Sequence, residues 1–181
     1  EIFRNSGRIT HVVGNIGYPF SLAALESGPE DVHVCEVSSF QMETADTFHP
    51  HVAVLTNISE DHLNRHGTMA VYTALKMRMF SNQTGDDFAV FNADDPGLEE
   101  LAKQVRSRVL MFSRLREVKE GAFVRDGDIF FRMGGEEKKI CSAGEVRIPG
   151  PHNLENALAA AADDGQTLLR TKRVAAQVFY L

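Results

Sequence analysis

Apolar residues in this chain come in short runs that stop abruptly at polar ones. Arg8 to Val13, His33 to Val37, His51 to Leu55, Phe88 to Phe91 and Val109 to Phe112 are such runs. Each is too short for a helix and rich in valine, isoleucine or phenylalanine, and each predicts a buried strand. Pro50 punctuates the start of the third. Helical stretches lie between them. Phe20 to Leu25 predicts a short helix, broken by Gly28-Pro29. Thr68 to Phe80 gives the clearest helical signal, with Thr68 as N-cap and Met69, Tyr72, Leu75, Met79 and Phe80 as an apolar stripe. Asn92-Ala93-Asp94-Asp95-Pro96 closes the fourth strand, and Leu98 to Val105 predicts a further helix. Strands alternating with helices predict an α/β fold: a mostly parallel sheet flanked by helices.

The texture then changes. Ala122 to Arg125, Asp128 to Met133 and Lys138 to Ile140 are short strands joined by Asp-Gly and Gly-Gly. Those dipeptides signal hairpins, so Gly121 to Val146 predicts a small antiparallel β ribbon on the main sheet. Pro149-Gly150-Pro151-His152-Asn153 ends it, and Asn153 or a neighbour caps an alanine-rich helix running to about Ala162.

Composition narrows the class. A chain of 181 residues predicts one domain, or one with a small appendage. Its 43% hydrophobic and 24% charged residues fit a soluble globular protein with a substantial core. The net charge of −6 argues against a nucleic-acid partner, which normally meets a basic face. It leaves room for an anionic substrate, because a metal supplies local positive charge. Cys35 and Cys141 are few and far apart, which points to a reducing compartment, the cytoplasm. No apolar run reaches the length of a membrane span, so no membrane partner is expected.

Two segments carry the candidate chemistry. Val34-Cys35-Glu36-Val37-Ser38-Ser39-Phe40-Gln41-Met42-Glu43 and Thr56-Asn57-Ile58-Ser59-Glu60-Asp61-His62-Leu63-Asn64-Arg65 each follow a strand and turn polar at its end. In open α/β sheets ligands sit just beyond the carboxyl ends of strands. Glu36 and His62 on one such edge would line an oxygen-rich pocket suited to Mg²⁺ and phosphate. Plainer readings stand beside these. Glu36 is also an ordinary strand-end residue, though Ser38, Ser39 and Gln41 crowd polar groups at the same spot. His62 and His66 have a zinc-compatible spacing, but no further ligand completes such a site. Lys76 lies near the apolar stripe, where a lysine usually snorkels to solvent and occasionally is desolvated and reactive. Gly14-Asn15-Ile16-Gly17 is a truncated dinucleotide fingerprint or simply a strand-ending turn. Asn153 and Asn156 share one face of a helix start, where they cap the helix or read a base edge. The sequence holds no Gly-x-x-x-x-Gly-Lys-Ser/Thr phosphate loop.

Taken in order, six blocks resemble the central domain of the Mur ligases of peptidoglycan synthesis. They are Gly14 to Gly17, Glu36 to Glu43, Thr56 to His62, Lys76-Met77-Arg78, Asn92 to Asp95 and Gly150 to Asn156. The Ser-Ser-Phe-Gln block and the Gly-Asn-Ile-Gly turn look most like the D-glutamate-adding branch. The resemblance covers residues 1 to about 160. It implies ATP-dependent amide formation in cell wall synthesis, with UDP-N-acetylmuramoyl-L-alanine, D-glutamate and ATP as partners and Mg²⁺ as cofactor. It also implies an acyl phosphate, made by transfer of the γ-phosphoryl group to the substrate carboxylate.

Residue by residue, the resemblance implies that Glu36 is a Mg²⁺ ligand and that His62 lies beside a second metal and the substrate. Lys76 matches a lysine that the family carbamylates into a metal ligand. Asn15 and Ser38 match substrate contacts, and Asn153 and Asn156 the adenine end of the ATP site. The family's phosphate loop would precede Glu1, and Glu1 to Gly7 reads as the last turn of a helix with a glycine stop. The expectation is therefore a truncated central domain over 1–165, with a sheet missing an internal strand. Residues 166–181 would lead toward a third domain, although Asp163-Asp164-Gly165-Gln166-Thr167 fits the family poorly. Such a fragment would be inactive alone. The competing readings are another Mur ligase, a folylpolyglutamate-type synthetase, or a non-catalytic nucleotide- or metal-binding module.

Overall fold

The computed structural model describes residues 2–167 and 175–178. Helix α1 (Ile2–Asn5) stops at Gly7, whose positive φ closes the last turn. Strands β1 (Thr10–Gly14) and β2 (Val32–Glu36) then pair in parallel, with Thr10 opposite Val32 and Gly14 opposite Glu36. Helix α2 (Phe20–Glu26) connects them and buries Ala23 in a cluster with Val13 and Cys35. A single turn, α3 (Ser39–Met42), follows β2. Strand β3 (Val52–Leu55) is buried along its whole length. After it come the one-turn α4 (Leu63–His66) and α5 (Met69–Met77), which a 3-10 turn extends to Phe80. The Thr68 hydroxyl caps α5 by accepting from the Val71 amide, as expected.

Strand β4 (Phe88–Asn92), helix α6 (Pro96–Ala102) and strand β5 (Arg108–Ser113) complete the parallel part. Helix α6 starts before Leu98, the expected first residue. Asp95 is its N-cap, accepting from the Gly97 and Leu98 amides, and Pro96 needs no amide partner in the first turn. The ribbon is β6 (Gly121–Arg125), β7 (Asp128–Met133) and β8 (Glu136–Ser142), antiparallel across both β7 pairings. It joins the main sheet through β6, parallel to β5. Gly121 makes that junction possible, because a β-carbon there would come within 1.8 Å of the Met111 carbonyl oxygen. Helix α7 (Pro151–Thr167) begins earlier than expected, so Asn153 lies inside its first turn.

The seven-stranded sheet runs β8-β7-β6-β5-β4-β3-β9, where β9 (Ala175–Val178) lies parallel to β3. Strands β1 and β2 form a separate two-stranded sheet. Where a missing internal strand was expected, the side of β3 away from β4 therefore pairs with β9. Of the segment 166–181, residues 166–167 finish α7 and 175–178 form β9; the others lie outside the described residues. The alternation of side chains along the strands builds two cores. Val52, Val54, Val90 and Leu110 face Leu158, Ala159 and Ala162 of α7. Ala53, Leu55, Ala89 and Phe91 face Met79, Phe80, Leu98 and Ala102.

The amino ends of β3 and β4 are tied by a buried carboxylate. Asp87 meets His49 Nε2 at 2.7 Å and His51 Nδ1 at 3.0 Å, and accepts from the Thr84 amide and hydroxyl. Burial alone would raise its pKa, but the bonds from His49, Thr84 and His51 outweigh it and hold the group at about 2. A depressed carboxyl pKa adds stability above its unfolded value near pH 4 and loses it as pH falls toward 2. The contribution is about 2 kcal/mol. Asp87→Asn is expected to lower Tm by about 4–8 °C at pH 7. Circular-dichroism melts should show the gap from the unsubstituted chain narrowing at pH 3.

Candidate active site

The site begins where β1 and β2 end in step. Gly14 has a φ of +111°, and a β-carbon there would come within 2.1 Å of the Glu36 carbonyl oxygen. Only glycine lets the Gly-Asn-Ile-Gly turn close this tightly on β2. The Asn15 amide donates to the Glu36 carbonyl at 2.9 Å. The Asn15 side chain and the Ile16 amide hydrogen-bond the Glu36 carboxylate. Its other oxygen, Oε2, is buried and has no hydrogen-bond partner among the described residues. Burial raises the Glu36 pKa, while those two bonds and the charge of Lys76 oppose the rise. A buried carboxylate oxygen left without a hydrogen bond is costly unless something outside the protein completes it.

Lys76 supplies the second part. It projects from α5 and is only 4% exposed. Its ammonium lies 4.7 Å from the centre of the Tyr72 ring, a cation–π distance. Burial drives its pKa down to about 8, while the charges of Asp61 and Glu36 pull the other way. The structure therefore brings Glu36, Asn15 and Lys76 into one electrostatic neighbourhood and adds Asp61. Sequence reasoning passed over Asp61, although it stands beside His62 in the polar block after β3.

His62 follows Asp61 in the block after β3, and Ser38 follows Glu36 by two residues after β2. His62 is a non-glycine residue in the left-handed region, with φ of 53°. Its Nε2 lies 3.2 Å from Asp61 Oδ2, and its ring lies 4.8 Å from that of Phe40 on α3. Ser38 caps α3 in a reciprocal box: its hydroxyl accepts from the Gln41 amide, and its own amide donates to the Gln41 side chain at 2.8 Å. The zinc-like spacing of His62 and His66 does not operate. His62 precedes the α4 helix, and His66 is buried with its Nε2 on the Ser39 hydroxyl.

Asn153 and Asn156 lie on the first turns of α7. The Asn153 side chain donates to the Pro149 carbonyl at 2.8 Å, securing the entry to the helix. Between them Glu155 accepts from Arg114 at 2.7 Å, which ties α7 to the carboxyl end of β5. Asp94 fastens the same end, accepting from the Ser113 hydroxyl and the Arg114 amide. Asp94 and Arg114 carried no distinguishing signal beyond the Asn-Ala-Asp-Asp turn.

The residues at the Glu36 edge suit a magnesium ion. Among the described residues no three His, Cys, Asp or Glu side chains converge as a metal cage. Mg²⁺ does not need one, since it binds through one or two carboxylates and keeps water and phosphate oxygens. The unpartnered Glu36 oxygen fits that demand. Cys35 is not a competing nucleophile: burial and the Glu36 charge push its thiol up to about 11.

Comparison with known proteins gives the family of the chain. Residues 1–163 match the family model of the Mur ligase middle domain. The chain belongs to that family. A UDP-N-acetylmuramoylalanine--D-glutamate ligase of Pelotomaculum thermopropionicum is 54% identical over 162 residues, 90% of this chain and 36% of that protein. Its counterparts in Alkaliphilus oremlandii and Koribacter versatilis are 50% and 46% identical, over 36% and 35% of their lengths. The chain thus spans about a third of the length of the curated relatives it matches. Among solved structures, a MurF ligase of Thermotoga maritima in complex with ADP aligns with a TM-score of 0.58 at 19% identity. The alignment covers 94% of this chain and 48% of that one. At that identity the likeness concerns the fold alone. No helix among the described residues is long and apolar enough to cross a membrane.

Proposed function

We propose that this domain works within a cytoplasmic, ATP-dependent ligase that joins D-glutamate to UDP-N-acetylmuramoyl-L-alanine in peptidoglycan synthesis. The observation that carries the reading is the half-buried Glu36 carboxylate, whose buried Oε2 has no hydrogen-bond partner among the described residues, together with the charge of the buried Lys76 acting on it. The names of the relatives supply the substrates. The substrate carboxylate attacks the γ-phosphorus of ATP, and the bond to the ADP oxygen breaks. The amine of D-glutamate then attacks the carbonyl carbon of the acyl phosphate. The resulting tetrahedral intermediate expels phosphate, leaving the amide.

In this chain Glu36, His62 and a carbamylated Lys76 would hold magnesium. Magnesium would neutralise charge developing on the transferring phosphoryl group. Asn15 holds the Glu36 carboxylate and, with Ser38, faces the muramoyl substrate. Asn153 and Asn156 take the adenine, oriented by the Arg114–Glu155 pair and the Asn153 bond to Pro149. The lowered Lys76 pKa favours modification, because CO₂ adds to the neutral amine with loss of a proton.

The test is phosphate release by the complete protein given ATP, Mg²⁺ and UDP-N-acetylmuramoyl-L-alanine. We expect release to require D-glutamate and a new amide product to form. Release with another amino acid but not D-glutamate would point to a different member of the family. The 181-residue chain alone is expected to show no turnover in this assay. Its sequence has no phosphate loop to donate backbone amides and a lysine to the β- and γ-phosphates.

A further inference from the structure

We infer that His66 is a positioning residue, locking the Ser38–Gln41 turn to the helix that carries Lys76. The inference rests on the ligase reading for its kinetic consequence only. His66 is 7% exposed and joins its own turn, α4, to two others, α3 and α5. Its Nε2 is 3.0 Å from the hydroxyl of Ser39, itself 1% exposed, in α3. Its Nδ1 faces Glu43 Oε1 at 3.7 Å, just past the same helix. Its ring stacks on that of Tyr72 in α5, with centroids 5.5 Å apart and planes inclined by 25°. Tyr72 is 1% exposed and carries the Lys76 ammonium against its ring.

Neighbouring contacts hold the histidine in this orientation. Arg65 grips Glu43 through two bonds of 2.8 and 2.6 Å, and Arg78 donates to the Glu43 carbonyl. The Phe40 ring lies 5.2 Å from His66 and 4.8 Å from His62. The left-handed His62 backbone starts the turn that ends at His66, since the His66 amide donates to the His62 carbonyl at 3.0 Å. One buried imidazole therefore sets the spacing between Ser38, His62 and Lys76. His66 meets Ser39, Glu43, Phe40 and Tyr72, so its effect on Ser38 and Lys76 passes through Ser39 and Tyr72. Buried networks of this kind hold functional groups in place only while every member is satisfied.

The test uses the complete protein with His66→Ala and His66→Phe. Lys76 labelling by an amine-reactive succinimidyl ester, in metal-free and CO₂-free buffer, is followed by peptide mass spectrometry. Steady-state kinetics are measured alongside. For His66→Ala we expect Lys76 to label about tenfold faster as the Tyr72 platform loosens. We also expect kcat to fall about ten- to a hundredfold with KM for ATP little changed. His66→Phe keeps a ring on Tyr72 and should keep Lys76 protected; it is the deciding variant if the alanine protein does not fold. Unchanged labelling or unchanged kcat in His66→Ala overturns the inference, as does fast labelling in His66→Phe. If the unsubstituted protein shows no ligase turnover, the ligase reading fails and labelling alone decides the role of His66.

Discussion

Glu36→Ala in the complete enzyme is expected to lower kcat by about a hundred- to a thousandfold, with KM for ATP changing little. Glu36 is anchored on one side by Asn15 and Ile16, and its second oxygen is buried with no hydrogen-bond partner among the described residues. A ligand placed this way meets charge that grows as the γ-phosphoryl group transfers, so its loss appears in the transition state more than in ground-state binding. Steady-state kinetics at saturating Mg²⁺ make the distinction. A rise confined to KM for ATP would make Glu36 a nucleotide-positioning residue instead. Glu36→Gln keeps the shape and removes the charge. It should lose nearly as much kcat if charge is what matters.

Lys76→Ala is expected to abolish measurable ligation and to recover part of it with added acetate. An ammonium beside Mg²⁺ would be repelled, whereas a carbamate presents two oxygens and a negative charge. The lowered pKa of about 8 raises the neutral-amine population near pH 7 by roughly a few hundredfold over a free lysine, which is the form that captures CO₂. Small carboxylates entering the space vacated by the side chain would stand in for the carbamate. Full activity of the alanine protein without additive would remove Lys76 from the mechanism. Rescue by propylamine rather than acetate would assign it a cationic role.

Much of the fold is legible in the sequence. The five parallel runs from Arg8 to Phe112, the Asp-Gly and Gly-Gly hairpins and the Thr68 cap each rest on local rules, and the structure keeps all of them. The one-turn helices α3 and α4 were not legible, because four residues cannot show a helical period. The starts of α6 and α7 were misplaced by proline, which opens a helix as readily as it ends one. Strand β9 depends on partners far away in sequence, since Ala175 to Val178 takes its pairing from β3.

The candidate site divides in the same way. Glu36 and His62 stood out because polar residues interrupt buried runs. Asp61, Tyr72 and His66 did not, because their roles come from tertiary neighbours. Tyr72 read as one member of an apolar stripe, yet it is the surface on which Lys76 rests. His66 stood out only for a zinc-compatible spacing from His62 that no further ligand completed, and its ring nitrogens face Ser39 and Glu43.

The most direct measurement follows oxygen. UDP-N-acetylmuramoyl-L-alanine labelled with ¹⁸O in its free carboxylate is given to the complete protein with ATP, Mg²⁺ and D-glutamate, and the released phosphate is analysed by mass spectrometry. If the substrate carboxylate attacks the γ-phosphorus, one ¹⁸O enters each phosphate and the other stays in the amide. Unlabelled phosphate, formed while D-glutamate is being ligated, would show that the carboxylate is not activated by phosphorylation and would contradict the chemistry assigned to the Glu36 edge.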